Sequence, residues 1–496
     1  MGIRDVPVRF WIAVTIFATS YVSNTIRFNM AVSIRHMANN FEEDNSTYDA
    51  LSVDGLNNTT NSTTDVRYQK QEFPRQNWTT DIQNLILDSY FWGYVVSSAP
   101  SGFIAEWFGP YYTVLYALIL SAFFNSLCIR AAPWHFVPLI LCRFILGLLS
   151  GSIYPSLQCL ISRWAPHSEK GRFVSALMGN ALGICVCYTL VDVVNTSIDV
   201  EWGLHFLSIQ IAVFCLIFGL VASDGPSDHK WISDDERKLI KDNTDISVPL
   251  GKYVPPYLKI LTSVPFWALC VCQFGDLWGL YFQATCMPKI FHGIFGFGFK
   301  TSTALAMTPY LFRMIFGIAF GHVCDRVEFK GAWSKDHVRK LFILFSHIVP
   351  GIVIMFTILA ASSYATTLAV LILSMAFNGA AVATNLRNVH DLSPNFAGPL
   401  FGAVNSLGST AGFLTPLVHS TLTHDNRDHW KWNGVIAGCI YILCGLFFIA
   451  FGTSQAQPWN ELSGRNSEDA AIFDNGSDEP RVGPSRQVDE RSPLNA

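Results

Sequence analysis

The sequence predicts an all-α membrane protein in which twelve transmembrane helices form two pseudo-symmetric six-helix bundles, and three observations carry the prediction. Half of the 496 residues are hydrophobic and only 14% are charged, where soluble domains carry about a quarter; mean hydropathy is +0.31. Twelve apolar runs each approach the ~20 residues that a helix needs to cross a bilayer. Short motifs recur between the first six runs and the last six at nearly one offset. This composition argues against a soluble enzyme and a disulfide-stapled secreted domain, and the net charge of −4 against a nucleic-acid binder, which needs basic surface to meet phosphates.

The first run, about Phe10 to Ile34, follows Arg4 and Arg9. It exceeds a signal-peptide core and lacks a small-residue cleavage site, so it is expected to be a retained helix. Residues 36–81 form an outer loop with sequons at Asn45, Asn57, Asn58, Asn61 and Asn77, which can be glycosylated only on a luminal or external face. Runs two to six follow at about Ile82 to Ala105, Tyr112 to Ala131, Phe136 to Leu157, Phe173 to Val194 and Leu204 to Ala222. These, as residues 1–222, make the first half.

A charged, proline-containing stretch, 223–262, divides the runs six and six and reads as a cytoplasmic linker. The second half, 263–452, holds runs at about Pro265 to Met287, Thr301 to Phe320, Leu341 to Ala360, Thr367 to Leu386, Gly398 to Leu422 and Gly434 to Phe451. Counting from the sequons puts both termini in the cytoplasm. The inner loops then contain Arg163, Lys170 and Arg172, the linker's lysines, and Arg326, Lys330, Lys335, Arg339 and Lys340, in accord with the positive-inside rule. The tail 453–496 has mixed charge without apolar periodicity and is expected to be a disordered cytoplasmic segment. Nearly all twelve cysteines lie inside apolar runs and none has metal-ligand spacing, so they read as packing residues.

Gly102-Phe103-Ile104-Ala105-Glu106 at the inner end of the second span recurs as Gly321-His322-Val323-Cys324-Asp325 at the inner end of the eighth. Asn180-Ala181-Leu182-Gly183 in the fifth recurs as Asn405-Ser406-Leu407-Gly408 in the eleventh. Parallel six-helix halves of this kind close around a midplane site reached alternately from either side, which is the physical device of a secondary transporter.

Gly102-Phe-Ile-Ala-Glu106-Trp-Phe-Gly109 resembles the loop-two motif of the major facilitator superfamily. Further segments narrow the likeness: Phe91-Trp92-Gly93-Tyr94; Arg143-x-x-x-Gly147-x-x-x-Gly151-x-x-Tyr154-Pro155; Arg163-Trp164-Ala165-Pro166; Asp391-Leu392-Ser393-Pro394-Asn395-Phe396-Ala397-Gly398; and Gln457-Pro458-Trp459. They resemble the anion transporter family of sodium/phosphate cotransporters, sialin and vesicular glutamate transporters. The resemblance implies the major facilitator fold and transport of small organic or inorganic anions, driven by sodium, protons or membrane potential. It also implies a plasma-membrane or a lysosomal or vesicular location.

Ionisable residues inside a bilayer are expensive and usually functional. Arg27 lies eight residues, ~12 Å, inside Arg35, on a polar face with Ser20, Ser23 and Asn24, where a guanidinium suits a carboxylate or phosphate; the resemblance adds an anion-serving arginine at this place. The alternative is a structural ion pair. Arg143 is, with Asn24, a further substrate-binding candidate; it matches the superfamily's fourth-span arginine, for which the resemblance implies a coupling or gating role, or else it is a hydrogen-bond hub. Tyr154, Asn385 and Asn405 are further candidates for the substrate. Equal depth pairs Asp276 with Arg313 and Arg27 with Asp88, each as a coupling switch or a permanent strut. Glu106 and Asp325 are expected to gate the inner ends of their spans. His390 with Asp391 is a weak candidate relay, Asp391 reading better as the start of an inner turn.

Three positions depart from the family pattern. Ser150-Gly151 stands where lysosomal and vesicular members have a fourth-span glutamate, Gln158 replaces their histidine, and Asp276 replaces the seventh-span arginine of the glutamate branch. No nucleophile with its base, phosphate loop or metal cluster is visible, so neither enzymatic activity nor a metal or other cofactor is expected beyond sodium or a proton as coupling ion. The expected unit is a monomer. The rivals are a cation or neutral-solute carrier and a non-transporting sensor or scaffold that retains the fold.

Overall fold

The computed structural model describes residues 6–38, 73–244, 254–356, 363–423 and 430–460. The sequons at Asn45, Asn57, Asn58 and Asn61 and the tail beyond Asn460 lie outside them; Asn77 is described and exposed.

Twelve helical segments occupy the twelve expected positions. In the first half they are α1 (Val8–Met37), α2 (Thr80–Phe108), α3 (Pro110–Ala131), α4 (Phe136–Trp164), α5 (His167–Ser197) and α6 (Val200–Val221). In the second they are α7 (Val264–Gly293), α8 (Phe299–Phe329), α9 (Lys335–Met355), α10 (Tyr364–Leu392), α11 (Ala397–Ser409 continued by Ala411–Thr423) and α12 (Trp430–Phe451). Eight are long and apolar enough to cross a membrane by length and composition alone. The other four, α1, α2, α7 and α11, turn polar side chains into the protein: Asn24, Arg27 and Asn29; Ser89, Ser98 and Ser101; Gln273 and Asp276; and Asn405 and Ser409 are all buried. A helix that lines a polar interior need not be apolar all round.

Several helices are interrupted inside the bundle, and at α4 and α9 a proline stands just after the irregular turn. Proline has no N–H for the carbonyl four residues back. Pro155 thereby frees the Gly151 carbonyl next to the break of α4 at Ser152, and Ser101 Oγ of α2 donates to it at 3.3 Å. Pro350 frees the Ser346 carbonyl within a π-helical turn of α9, Leu344–Ile348, and Asn378 Nδ2 of α10 donates to it at 3.1 Å. Pro288 frees the Ala284 carbonyl of α7 for Tyr188 OH of α5, at 3.3 Å. α10 tightens into a 3₁₀ turn at Gly379–Ala383 between its two α-helical parts.

The two halves are zipped at the inner end. There α2 lies on α11 so closely that a Cβ at Gly102 would strike the Gly398 carbonyl and Pro399 nitrogen, while Ser98 Oγ and Ser406 Oγ donate across the seam to Gly402 O (3.3 Å) and Val95 O (2.6 Å). The pseudo-symmetric seam joins α5 to α8. Asp325 accepts from Gly171 N at 2.8 Å and Arg172 N at 3.0 Å, a carboxylate on the positive end of a helix dipole.

Two further inner segments are ordered by carboxylates and amides. The linker contains a helix, Asp234–Asp242, from which Glu236 accepts the Val8 and Arg9 backbone N–H groups, both at 3.0 Å, and so caps α1. The expectation of a disordered tail from residue 453 is corrected for residues 453–460. Asp336 accepts from Thr453 and Ser454, Gln457 N donates to Leu392 O, Asn460 Oδ1 accepts from Ser393 Oγ and Asn395 N, and Trp459 is buried. The segment is held by polar groups and by the one buried Trp459 ring rather than by an apolar run, which is why hydropathy misses it.

Candidate substrate site between the halves

Between α1, α2, α4 and α5 of one half and α7, α8, α10 and α11 of the other lies a small polar cavity. Asn24, Arg27, Tyr94, Tyr154 and Asn180 line it from the first half, and Gln273, Asp276, Arg313, Phe401 and Asn405 from the second.

The first-half wall is built of phenols around a guanidinium. Arg27 is buried; its Nη1 donates to Tyr281 OH across the seam at 2.7 Å, and its guanidinium stacks on the Tyr94 ring at 4.2 Å. Its Nε and Nη2 have no hydrogen-bond partner. The pairing of Arg27 with Asp88 is corrected: Arg27 makes no ion pair among the described residues, and Asp88, half-buried nearer the outer end of α2, has Lys289 of α7 as its electrostatic neighbour. Below Arg27, Tyr154 OH accepts from Asn24 Nδ2 at 2.7 Å and shares a hydrogen bond with Ser20 Oγ at 2.7 Å.

The second-half wall is an ion pair laced with amides. Arg313 Nη2 stands 3.6 Å from Asp276 Oδ1. Asn378 sits between them, accepting from Arg313 Nε at 2.7 Å and donating to Asp276 at 2.8 Å. Asn385 donates to Gln273 Oε1 at 2.6 Å and to Asp276 Oδ2 at 3.4 Å. It braces the acid from behind and does not line the cavity.

The repeat recurs as geometry. With Gly102 matched to Gly321, Tyr94 falls opposite Arg313, and each meets the asparagine of the other repeat across the seam: Asn405 Nδ2 donates to Tyr94 OH at 2.9 Å, and Arg313 Nη1 donates to Asn180 Oδ1 at 3.2 Å. One half therefore stacks its cation on a ring where the other neutralises it with Asp276.

Residues 11–416 match the family described as the Major Facilitator Superfamily. The chain belongs to that superfamily. Among curated proteins it is similar to vesicular glutamate transporter 1 of Bos taurus, 28% identical over 98% of this chain and 84% of that one, and to sialin of Homo sapiens, 26% identical over 91% and 90%. The likeness to the anion transporter family expected from the motifs is thus borne out. Among solved structures it superposes on the proton:xylose symporter XylE at a TM-score of 0.62, with 12% identity, over 91% of this chain and 97% of that one. The fold is that of a multi-pass membrane transporter of the superfamily.

Arg143 is spent inside its own half of the superfamily fold. It donates to Ile26 O and Arg27 O at 3.4 and 3.3 Å and to Asn29 Oδ1 at 3.4 Å, and its guanidinium lies 4.8 Å from the Tyr90 ring. It clamps α1 to α4 and stands outside the cavity wall. Ser150 is buried beside Tyr90, and Gln158 links the halves by donating to Leu386 O at 3.3 Å and meeting His390 Nε2 at 2.8 Å.

The acids of the superfamily's repeated loop motif sit in ion-pair clusters at the inner end. Glu106 pairs with Arg163 at 2.7 Å, close to Asp224, whose carboxyl is pushed up by burial against the pull of Tyr111 N–H and Arg163. Asp325 pairs with Arg387 at 2.5 Å; Glu328 bridges Arg387 and Arg339, and Asp391 pairs with Arg339 at 2.7 Å. Asp391 is therefore a network member as well as the start of a turn. Tyr281, Gln273 and Asn180 join the site beside the residues expected there. Aromatic and amide residues in apolar runs carry no signal of their own, but the repeat marks Asn180 as the counterpart of Asn405.

Proposed function

We propose that the chain is a secondary transporter of small organic or inorganic anions, working by alternating access with its inner end in the cytoplasm. The observation that carries the proposal is Arg27, a buried guanidinium with two N–H-bearing nitrogens unpartnered at a midplane cavity and no acid paired with it. Such a fork is a receptor for a planar oxyanion, and the similarity to sialin and vesicular glutamate transporters supports the substrate class. Counterflow into proteoliposomes, with phosphate, urate, sialate, glutamate and nucleotide as probes and pH and sodium varied separately, tests it; no counterflow with any anion would refute it.

Two predictions belong to this reading. The outer-loop sequons, Asn77 included, are expected to carry glycans that a glycosidase removes from the native protein, while a tag on the tail stays inaccessible from outside intact cells. Asp276→Asn is expected to strand Arg313 in the bundle, costing several kcal/mol and lowering folded yield. Adding Arg313→Gln should restore yield measured by size-exclusion chromatography, yet leave uptake independent of the driving ion. Normal ion dependence in a well-folded Asp276→Asn protein would rule out coupling through this pair.

A further inference from the structure

His347 is fully buried in the π-helical turn of α9, in the half that holds Asp276. π-turns inside α-helices are rare and frequently found at functional sites. The ring is held at both nitrogens. Nε2 is 2.9 Å from the Cys272 carbonyl, which can only accept, so Nε2 carries a hydrogen; Nδ1 is 2.8 Å from Ser346 Oγ. Beyond Ser346 the contacts continue toward the cavity. Thr384 Oγ1 lies 3.3 Å from Ser346 Oγ and 2.9 Å from Asn385 Oδ1, and Asn385 Nδ2 donates to Asp276.

The direction of this chain depends on the ring's charge. With neutral His347, the Ser346 hydroxyl donates back to Nδ1, and the sequence of donors breaks between Ser346 and Thr384. With a proton bound, Nδ1–H donates to Ser346 Oγ, whose hydroxyl turns to Thr384, and every bond then runs one way: imidazolium, Ser346, Thr384, Asn385, Asp276. The remaining groups around the ring are Cys272 and Asp276 from α7 and Tyr441 and Cys444 from α12; from α10 the uncharged Thr384 reaches Ser346. Asp276 is the acid among them, and it is already shared with Arg313.

We propose that His347 is the acceptor of a coupling proton, and that its protonation is read at Asp276 through Ser346, Thr384 and Asn385, loosening Arg313 toward the cavity. This rests on the transport reading above. A proton from the aqueous phase adds to the Nδ1 lone pair; only hydrogen-bond directions change. The chain thus has a titratable site in its second half, whereas its fourth span offers Ser150 and Gln158.

Histidine C2 hydrogen–deuterium exchange, read by peptide mass on the purified full-length protein, follows each ring's protonation with pH. The His347 ring is expected to take up a proton over the same pH range in which uptake responds to the imposed gradient, and Asp276→Asn, which removes the neighbouring acid, to move that midpoint down. A ring that stays neutral to pH 5 overturns the proposal. In proteoliposomes, radiolabelled inorganic phosphate and glutamate are the probes, and the ratio of uptake with and without an imposed pH gradient is the readout. His347→Gln keeps a donor for the Cys272 carbonyl but cannot take a proton, and should bring the ratio from severalfold to one. Ser346→Ala, which keeps the ring and removes the link, should do the same. Wild-type stimulation in either variant overturns the proposal, as does a wild-type ratio of one. Absence of any uptake by the wild type refutes the transport reading instead, and the ring titration then judges His347 alone.

Discussion

Arg27→Lys is expected to lower anion uptake by roughly thirty- to several-hundredfold at matched expression, although the charge is kept. The guanidinium does three things at once that an ammonium cannot: it lies flat on Tyr94, donates to Tyr281 and still presents Nε and Nη2 to the cavity. Losing one charge-assisted hydrogen bond to the ligand removes about 1.5–3 kcal/mol, and losing the stacked cation removes about 0.5–1 more; each 1.4 kcal/mol is about tenfold. Initial-rate uptake at sub-saturating probe anion measures this. A change of less than about twofold would make Arg27 a packing residue and move the anion site elsewhere in the cavity.

Gly102→Val is expected to abolish net uptake through a different route. The inner seam has no room for a Cβ at this position, and the atoms in the way are backbone, which cannot rotate aside as a side chain can. A β-branched group must therefore push α11 off α2, and the state closed at the inner end is lost, without any change at the cavity. Cys159 reports on this. It is wholly buried, against the outer face of Gly398 in the same seam, so a maleimide should label it in Gly102→Val and leave it unmodified in the wild type. Equal labelling together with normal uptake would mean that the seam opens without hindrance and that its close packing has no part in the cycle.

Much of this architecture is legible in the sequence because a bilayer punishes ambiguity. Spans, halves and the Asp276–Arg313 pair follow from hydropathy and depth, since a charge inside an apolar helix has few places to go. Depth alone gives no azimuth, and Arg27 and Asp88 share a depth without sharing a face. Asp88 and Tyr94 are six residues apart, about 600° of helix rotation, so they stand on faces about 120° apart; only Tyr94 turns toward Arg27. The repeat held the answer, since the register that aligns Gly102 with Gly321 also aligns Tyr94 with Arg313. What no pattern in a single chain reveals is a network of neutral amides. Asn378 and Asn385 are unremarkable in the tenth span until α10 packs on α7 and brings both onto one carboxylate.

The carbonyls released by Pro155, Pro288 and Pro350 make proline a two-body property of this fold. Each has a partner on another helix, Ser101, Tyr188 and Asn378, in surroundings that offer no water to take the partner's place. Changing such a proline to alanine, which in an isolated helix would stabilise it by about 3 kcal/mol, here returns the carbonyl to its own helix; Ser101 then keeps Ser98 O and Asn378 keeps Asp276, while Tyr188 OH loses the acceptor it reached for. Deleting the donor alone orphans the carbonyl. For Pro288 and Tyr188 neither single step is neutral, so among descendants of this sequence that pair should be inherited as a unit, whereas Pro155 and Pro350 can be lost with their donors still bonded.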